Sequence, residues 1–389
     1  GIEIPPAEIA RLLTALEFTC RIEGETVIAQ TPPHRLDIGE GLVGQADLIE
    51  EIARLYSYNN IPESRLTAEL PPQRANPALE MEEKVRDILV SLGLQEIISY
   101  RLTSAERERR ILPPDAAIEP PVYITLKNPI APERSVLRRS LLASVLEVLE
   151  RNSRLRDTLE LFEIGQVFLP KAGQTLPDEP RRLVIALTGL RHHPHWGGAD
   201  TGSLDFFDLK GLLEALAASL HLDGLTFEAA QDPSFHPGKC AALRHNGQLL
   251  GIFGELHPQV RQQYDFLSAP VCAADLDLEA WITLAEDAGS ARDVPAFPPT
   301  LEDIAIVVDE EIPAGRIEAL IRQTGGKLLA GVRLFDVFRS EQIGPGKKSL
   351  AYSLTYQSYE KTLTPADAAQ LRGRIIRRLE QEVGAKLRS

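Results

Sequence analysis

Four carboxylates that could grip a cation lie in the stretch 34–62, HRLDIGEGLVGQADLIEEIARLYSYNNIP: Asp37, Asp47, Glu50 and Glu51. The spacing predicts a helix that starts at Asp47, capped by its side chain, with Ile49, Ile52, Ala53 and Tyr56 at helical intervals and Asn59-Asn60-Ile61-Pro62 as the stop. Glu50 and Glu51 follow Asp47 by three and four residues, so the three acids lie near one face of the first turn, and Asp37 can reach them from the extended segment before it. Carboxylates brought that close repel one another unless a cation joins them. Mg2+ takes oxygen ligands and keeps several waters, so a few acids suffice. The same acids would also suit a helix N-terminus, where they complement the dipole, and spacing leaves both readings open.

Other reactive side chains form weaker patterns. His192, His193 and His195 in RHHPHW have donors for zinc but no matching second pair of ligands. His236 and His257 each precede a proline, which suits a turn. Cys240 has no base near it in sequence, so a thiol nucleophile is not indicated. Cys20, Cys240 and Cys272 are widely spaced and odd in number, which fits buried thiols in a reducing, cytoplasmic setting rather than a disulfide framework.

These groups must be positioned by a chain of 389 residues, too long for one ordinary core. Its 43% hydrophobic and 25% charged content is that of a soluble globular protein, and no apolar run is long enough to span a membrane. The chain starts at Gly1 rather than Met, almost directly in a helical pattern, and is expected to be part of something longer. Three units are expected: 1–70, 71–290 and 291–389, separated by proline-marked linkers. The first reads helix, hairpin, helix. The second mixes helices with hairpin-linked strands, as an antiparallel-sheet α/β (α+β) domain does, with Arg138 and Arg139 inside a long helical pattern from Ser135. The third reads βαββαβ, the order of a ferredoxin-like sandwich. Net charge is −14, which argues against bulk attraction to nucleic acid, but residues 292–389 carry 15 basic and 13 acidic groups, so a phosphate-binding surface is expected there.

HRLDI and DLIEEIARLYSYNNIP resemble the domain that follows the editing module in the β subunit of bacterial phenylalanyl-tRNA synthetase. LKNPIAPERSVLRRSLLASVLEVLERN, LELFEIGQVF and DFFDLKG resemble that subunit's catalytic-like domain, and LFDVFRSEQIGPGKKSLAYSLTYQS its anticodon-binding domain. The resemblance implies a winged-helix-like first domain, a class II synthetase-like second domain and a ferredoxin-like third. It implies that Asp37, Asp47, Glu50 and Glu51 bind magnesium at the contact with the catalytic α subunit. Two departures stand out. Nine residues separate Asp37 from Asp47, more than the family usually has, and Phe297-Pro298-Pro299-Thr300-Leu301-Glu302-Asp303 replaces a more basic F-P-x-x-R-R-D.

A class II site needs arginines that grip ATP, including a G-x-G-x-x-R motif, and this chain has no such motif. No catalytic residue is therefore assigned. The resemblance implies an assembly of two α and two β chains that uses ATP, bound by α, and Mg2+ to attach phenylalanine to its tRNA. This chain would supply the α interface, the magnesium site and anticodon binding. Arginines, lysines and aromatics on a sheet suit unstacked loop bases, and Arg339, Lys347, Lys348, Tyr356 and Lys361 are the expected tRNA contacts. The rival readings are a stand-alone tRNA-binding or regulatory module, and a metal-dependent enzyme built on the four carboxylates.

Overall fold

The computed structural model describes the whole chain except residues 65–71, 73, 193–194, 199–201, 268–269, 286–292 and 389. Both expected domain boundaries, at 70/71 and 290/291, and the candidate ligand His193 lie outside the described residues. The chain divides into two compact units, Gly1–Pro77 and Ala78–Ser389.

In the first unit, helix α1 (Pro6–Ala15) has proline in its first turn and buries Leu12 and Leu13. Strands β1 (Thr19–Glu23) and β2 (Thr26–Gln30) form an antiparallel hairpin turning at Gly24, whose positive φ suits the tight reversal. Helix α2 (Gly41–Tyr56) follows. It starts six positions before the expected Asp47, with Glu40 at the N-cap, so Asp47 is an interior residue and not the cap. The stop is where the sequence places it: Ser57 leaves the helix at φ 79°, and the Asn60 amide donates to the Tyr56 carbonyl at 2.6 Å.

The second unit holds two large sheets. The first combines β3 (Gln95–Glu96), β6 (Leu159–Gln166), β7 (Arg181–Thr188), β8 (Leu225–Ala229), β9 (Phe235–His245), β10 (Gln248–Leu256) and β11 (Val271–Asp277) in the order β3-β6-β7-β11-β10-β9-β8. Only β3 and β6 run parallel among these pairs. Strand period decides the core: Leu183, Ile185 and Leu187 face one layer while Val184 and Ala186 face the other. Because both faces are covered, β7 reads as an unbroken apolar run from Leu183 to Leu187. Helices α3 (Pro77–Ser91), α6 (Phe206–Ser219) and α8 (Leu278–Leu284) contribute to the first layer, and α5 (Leu141–Asn152) to the second. Asp205 caps α6 in a full capping box with Asp208.

The stretch LQEIISYRLTS holds only the short strands β3 and β4 (Leu102–Thr103), and VYITLKNPI supplies only a bridge from Thr125 to Val136. One expectation in this region is corrected. The long helix expected from Ser135 is a short strand, β5 (Val136–Leu137), before α5, whose N-cap is Ser140, so Arg138 and Arg139 are not helical. Short helices α4 (Ala105–Arg109) and α7 (Pro258–Arg261) complete this part, and the His257 side chain accepts from the Gln259 amide at the start of α7, the expected turn role.

The second sheet is built from β12 (Thr300–Asp309), β13 (Leu329–Phe338), β14 (Lys347–Tyr356) and β15 (Lys386–Leu387), ordered β13-β14-β12-β15. Helices α9 (Ala314–Gly325) and α10 (Pro365–Val383) pack on one face through Ile317, Ile321, Leu371, Ile375 and Leu379. This is the βαββαβ sandwich that the element order predicts.

Candidate nucleic-acid interface and metal centre

In the first unit the four acids do not converge. Arg35 donates to both oxygens of Asp37, at 2.9 and 2.7 Å, and its Nη2 also reaches Glu51 Oε1 at 2.9 Å. Arg54 takes the other Glu51 oxygen at 2.5 Å. Asp47 accepts from the Gly39 amide at 2.8 Å, and Glu50 is exposed. Arg35 holds the Asp37 carboxyl down to about 2, and Arg54, then Arg35, lower Glu51 against its partial burial. No three His, Cys, Asp or Glu side chains are grouped to hold a metal among the described residues. As arranged, these residues do not fit Mg2+, because guanidinium nitrogens already occupy the oxygens that would face it. The segment between Asp37 and Asp47 runs into α2, which begins at Gly41, and Gly44 packs so tightly on the Gly39 carbonyl that a Cβ there would lie 2.2 Å from it.

In the seven-stranded sheet, Arg138 is locked inside the protein. Its Nη1 contacts Glu163 at 3.0 Å and Ser99 at 2.9 Å, and its Nε donates to the Gln166 carbonyl at 2.8 Å. Gly165 leaves room for it: a Cβ there would meet Arg138 Nη2 at 2.2 Å. Arg139 donates to the Val122 carbonyl at 2.6 Å. A pocket of about 370 Å3 opens on the α5 face of this sheet, lined by Ser140, Arg182, Asp232, Ser234, Asp275 and Asp277 among others. Arg182 is paired with Asp275 at 2.7 Å, and burial pushes the Asp275 carboxyl up against that attraction. Three carboxylates against one guanidinium give the pocket a sign that repels polyphosphate. The strand–helix pair β11–α8 reads Asp275-Leu276-Asp277-Leu278-Glu279 at its junction, with no arginine to hold a nucleotide tail.

In the C-terminal sheet, the register sets Asp309 opposite Lys347 and Val308 opposite Lys348. That brings three expected contacts to one end of the sheet. Arg339 forks onto Glu310 at 2.7 and 3.0 Å, Lys347 pairs with Asp309, and Lys348 donates to the Glu310 carbonyl at 2.7 Å. Arg339 and, more weakly, Lys348 hold the Glu310 carboxyl below its ordinary range. Lys348 is largely buried, leaving Arg339 and Lys347 as the accessible cations of the trio. Tyr356 and Lys361 lie elsewhere. Tyr356 ends β14, roughly 30 Å from Lys347 at the rise of an extended strand. Lys361 sits 3.3 Å from Asp367 at the start of α10.

Tyr356 is corrected as a stacking residue: it is 0% exposed, packed with α9 and α10, and burial raises its hydroxyl to about 12. The accessible rings are on β13, where Phe335 is 50% and Phe338 39% exposed. Arg388 lies over the Phe338 ring, 5.0 Å from its centroid, and reaches Ser349 at 3.4 Å across the helix-free face. Sequence reasoning missed these rings, although LFDVF runs directly into Arg339.

Three family models match collinearly: a tRNA synthetase B5 domain over residues 1–58, a phenylalanyl tRNA synthetase beta chain CLM domain over 61–278 and a ferredoxin-fold anticodon binding domain over 295–388. Curated relatives described as phenylalanine–tRNA ligase beta subunit include those of Moorella thermoacetica, 38% identical, Clostridium tetani, 36%, and Bacillus subtilis, 34%. Each alignment covers 100% of this chain and 47% of the relative, so the chain spans about half the length of the curated relatives it matches.

Proposed function

Since this chain belongs to the phenylalanyl-tRNA synthetase β chain family, we propose that it acts as the C-terminal portion of a β subunit in an enzyme that attaches phenylalanine to its tRNA with ATP. ATP and the adenylate chemistry belong to a catalytic α partner, in an assembly of two α and two β chains. Within this chain, 1–70 and 71–290 serve as the docking scaffold for α, and 291–389 binds the tRNA anticodon. A cytoplasmic location follows from that role. No helix among the described residues is long and apolar enough to cross a membrane.

The observation that carries the reading is the end of the C-terminal sheet. Arg339 and Lys347 are exposed at the end of the sheet where Phe338, itself 39% exposed, pairs in register with Ser349, which puts phosphate-binding charge and stacking surface at one end of the sheet. The ion pairs to Glu310 and Asp309 preset these side chains and would be exchanged for phosphate contacts on binding. The acidic pocket and the buried Arg138 support placing nucleotide binding in α.

The test is to co-express the chain with a catalytic α chain carrying class II motifs, then to assay both copurification and phenylalanine charging. A stable complex that charges tRNA is expected. Formation of phenylalanyl-adenylate by the isolated chain, or no association with α, would overturn the assignment of roles.

A further inference from the structure

Resemblance assigns the acids near α2 to a divalent ion, yet an arginine stands among them. We propose that Arg35 is the resident cation of this segment: its guanidinium takes the place between Asp37 and Glu51, and residues 34–56 hold their shape without magnesium.

Three features carry this. The first is occupancy. Both Asp37 oxygens and one Glu51 oxygen accept from Arg35, and the second Glu51 oxygen accepts from Arg54. Magnesium demands near-octahedral oxygen ligands at about 2.0–2.1 Å, which these oxygens cannot offer while bound to guanidinium nitrogens. The second is anchoring. Arg35 lies 5.9 Å over the ring of buried Phe18, and its side chain and that of Glu51 are only 19% and 14% exposed. A planar fork held in this way is pre-organised, unlike a surface ion pair. The third is the turn before α2. Asp47 accepts from the Gly39 amide, so one of its oxygens is used to close that turn rather than facing Asp37 and Glu51. Arg35 and Arg54 are set against Asp37 and Glu51, while Asp47 is held by the Gly39 amide and Glu50 is exposed.

The inference rests on family membership and not on the tRNA reading, so the two can fail separately. The full chain would be titrated with Mn2+, followed by electron paramagnetic resonance, and hydrogen exchange would be measured over peptides spanning 34–56 in magnesium and in EDTA. No stoichiometric Mn2+ uptake and unchanged exchange are expected. Arg35→Gln is expected to speed exchange there by about tenfold or more, as loss of a local tether should. Arg35→Lys, which keeps the charge but not the fork, serves if Arg35→Gln does not fold, and should do the same to a lesser degree. One Mn2+ bound per chain and lost in Asp37→Asn would overturn the proposal. So would exchange in Arg35→Gln, or in Arg35→Lys where that variant serves, that matches the unsubstituted protein.

Discussion

Arg138 and Glu163, the latter on β6 of the seven-stranded sheet, form an ion pair whose side chains are 2% and 3% exposed. Such a pair is costly to desolvate and is stable only while both partners remain. Ser99 and the Gln166 carbonyl complete the arginine's bonding, and Ser99 also donates its hydroxyl to Glu163 at 2.9 Å. Arg138→Met should therefore cost about 3–5 kcal/mol in chemical denaturation, because Glu163 is left buried and unpaired. Pairing it with Glu163→Gln should recover much of the loss, and an additive double variant would contradict this account. The buried thiols make a second prediction at this scale. Burial raises Cys240 to about 11 and Cys272 to about 12, above the ordinary value of 9.0. Above pH 9 the unfolded chain releases these protons while the folded chain keeps them, so stability falls with pH by up to about 1.4 kcal/mol per unit per thiol. Urea midpoints measured from pH 8 to 11 should decline, and Cys272→Ser or Cys240→Ser should flatten the slope.

Helix α2 shows how an element can be legible at one end and not at the other. Its C-terminus is written locally, in Asn60 and the residues before Pro62. Its N-terminus is not, because Asp47 looks like a cap in sequence and the true start depends on Gly39 and Gly44 approaching each other in space. The helix ends on Ser57 at φ 79°, ψ 124°, a conformation costly for any residue with a Cβ. Ser57→Gly should stabilise the first unit by about 1 kcal/mol after glycine's entropic cost, read as slower hydrogen exchange at the end of α2. In the C-terminal sheet the alternation of Leu350, Tyr352, Leu354 and Tyr356 marks a strand with one buried face. Alternation alone does not say whether tyrosines face helices or open sheet. Here they face the helices, and the opposite face is left to Ser349, Phe338 and Arg388.

At the scale of the molecule, charge is divided by domain. The C-terminal 98 residues, 292–389, are slightly basic within a chain of net charge −14. Under the roles proposed above, the acidic part before residue 292 would dock α, and the slightly basic residues 292–389 would hold the attraction for nucleic acid. Replacing Arg339 or Lys347 by Ala in the assembled enzyme should weaken tRNA binding and lower the salt dependence of its logarithmic affinity by about one for each phosphate left without its cation. Tyr356→Phe should leave both unchanged, since the ring is buried. Fluorescence anisotropy with labelled tRNA across a salt series measures both.

The βαββαβ order of the C-terminal unit, the three stretches that resemble one family, and the segment that carries exposed basic groups were all determined by the sequence alone. Each depends on residues close in the chain: hydrophobic period, caps, turns and short motifs. What only the tertiary structure decided were the partners of charged groups. Arg35 with Glu51, Arg138 against Glu163, and Arg388 over Phe338 join residues distant in sequence. Whether a carboxylate meets a metal, an arginine or a backbone amide is set by which chain segments pack together, and no local pattern encodes that.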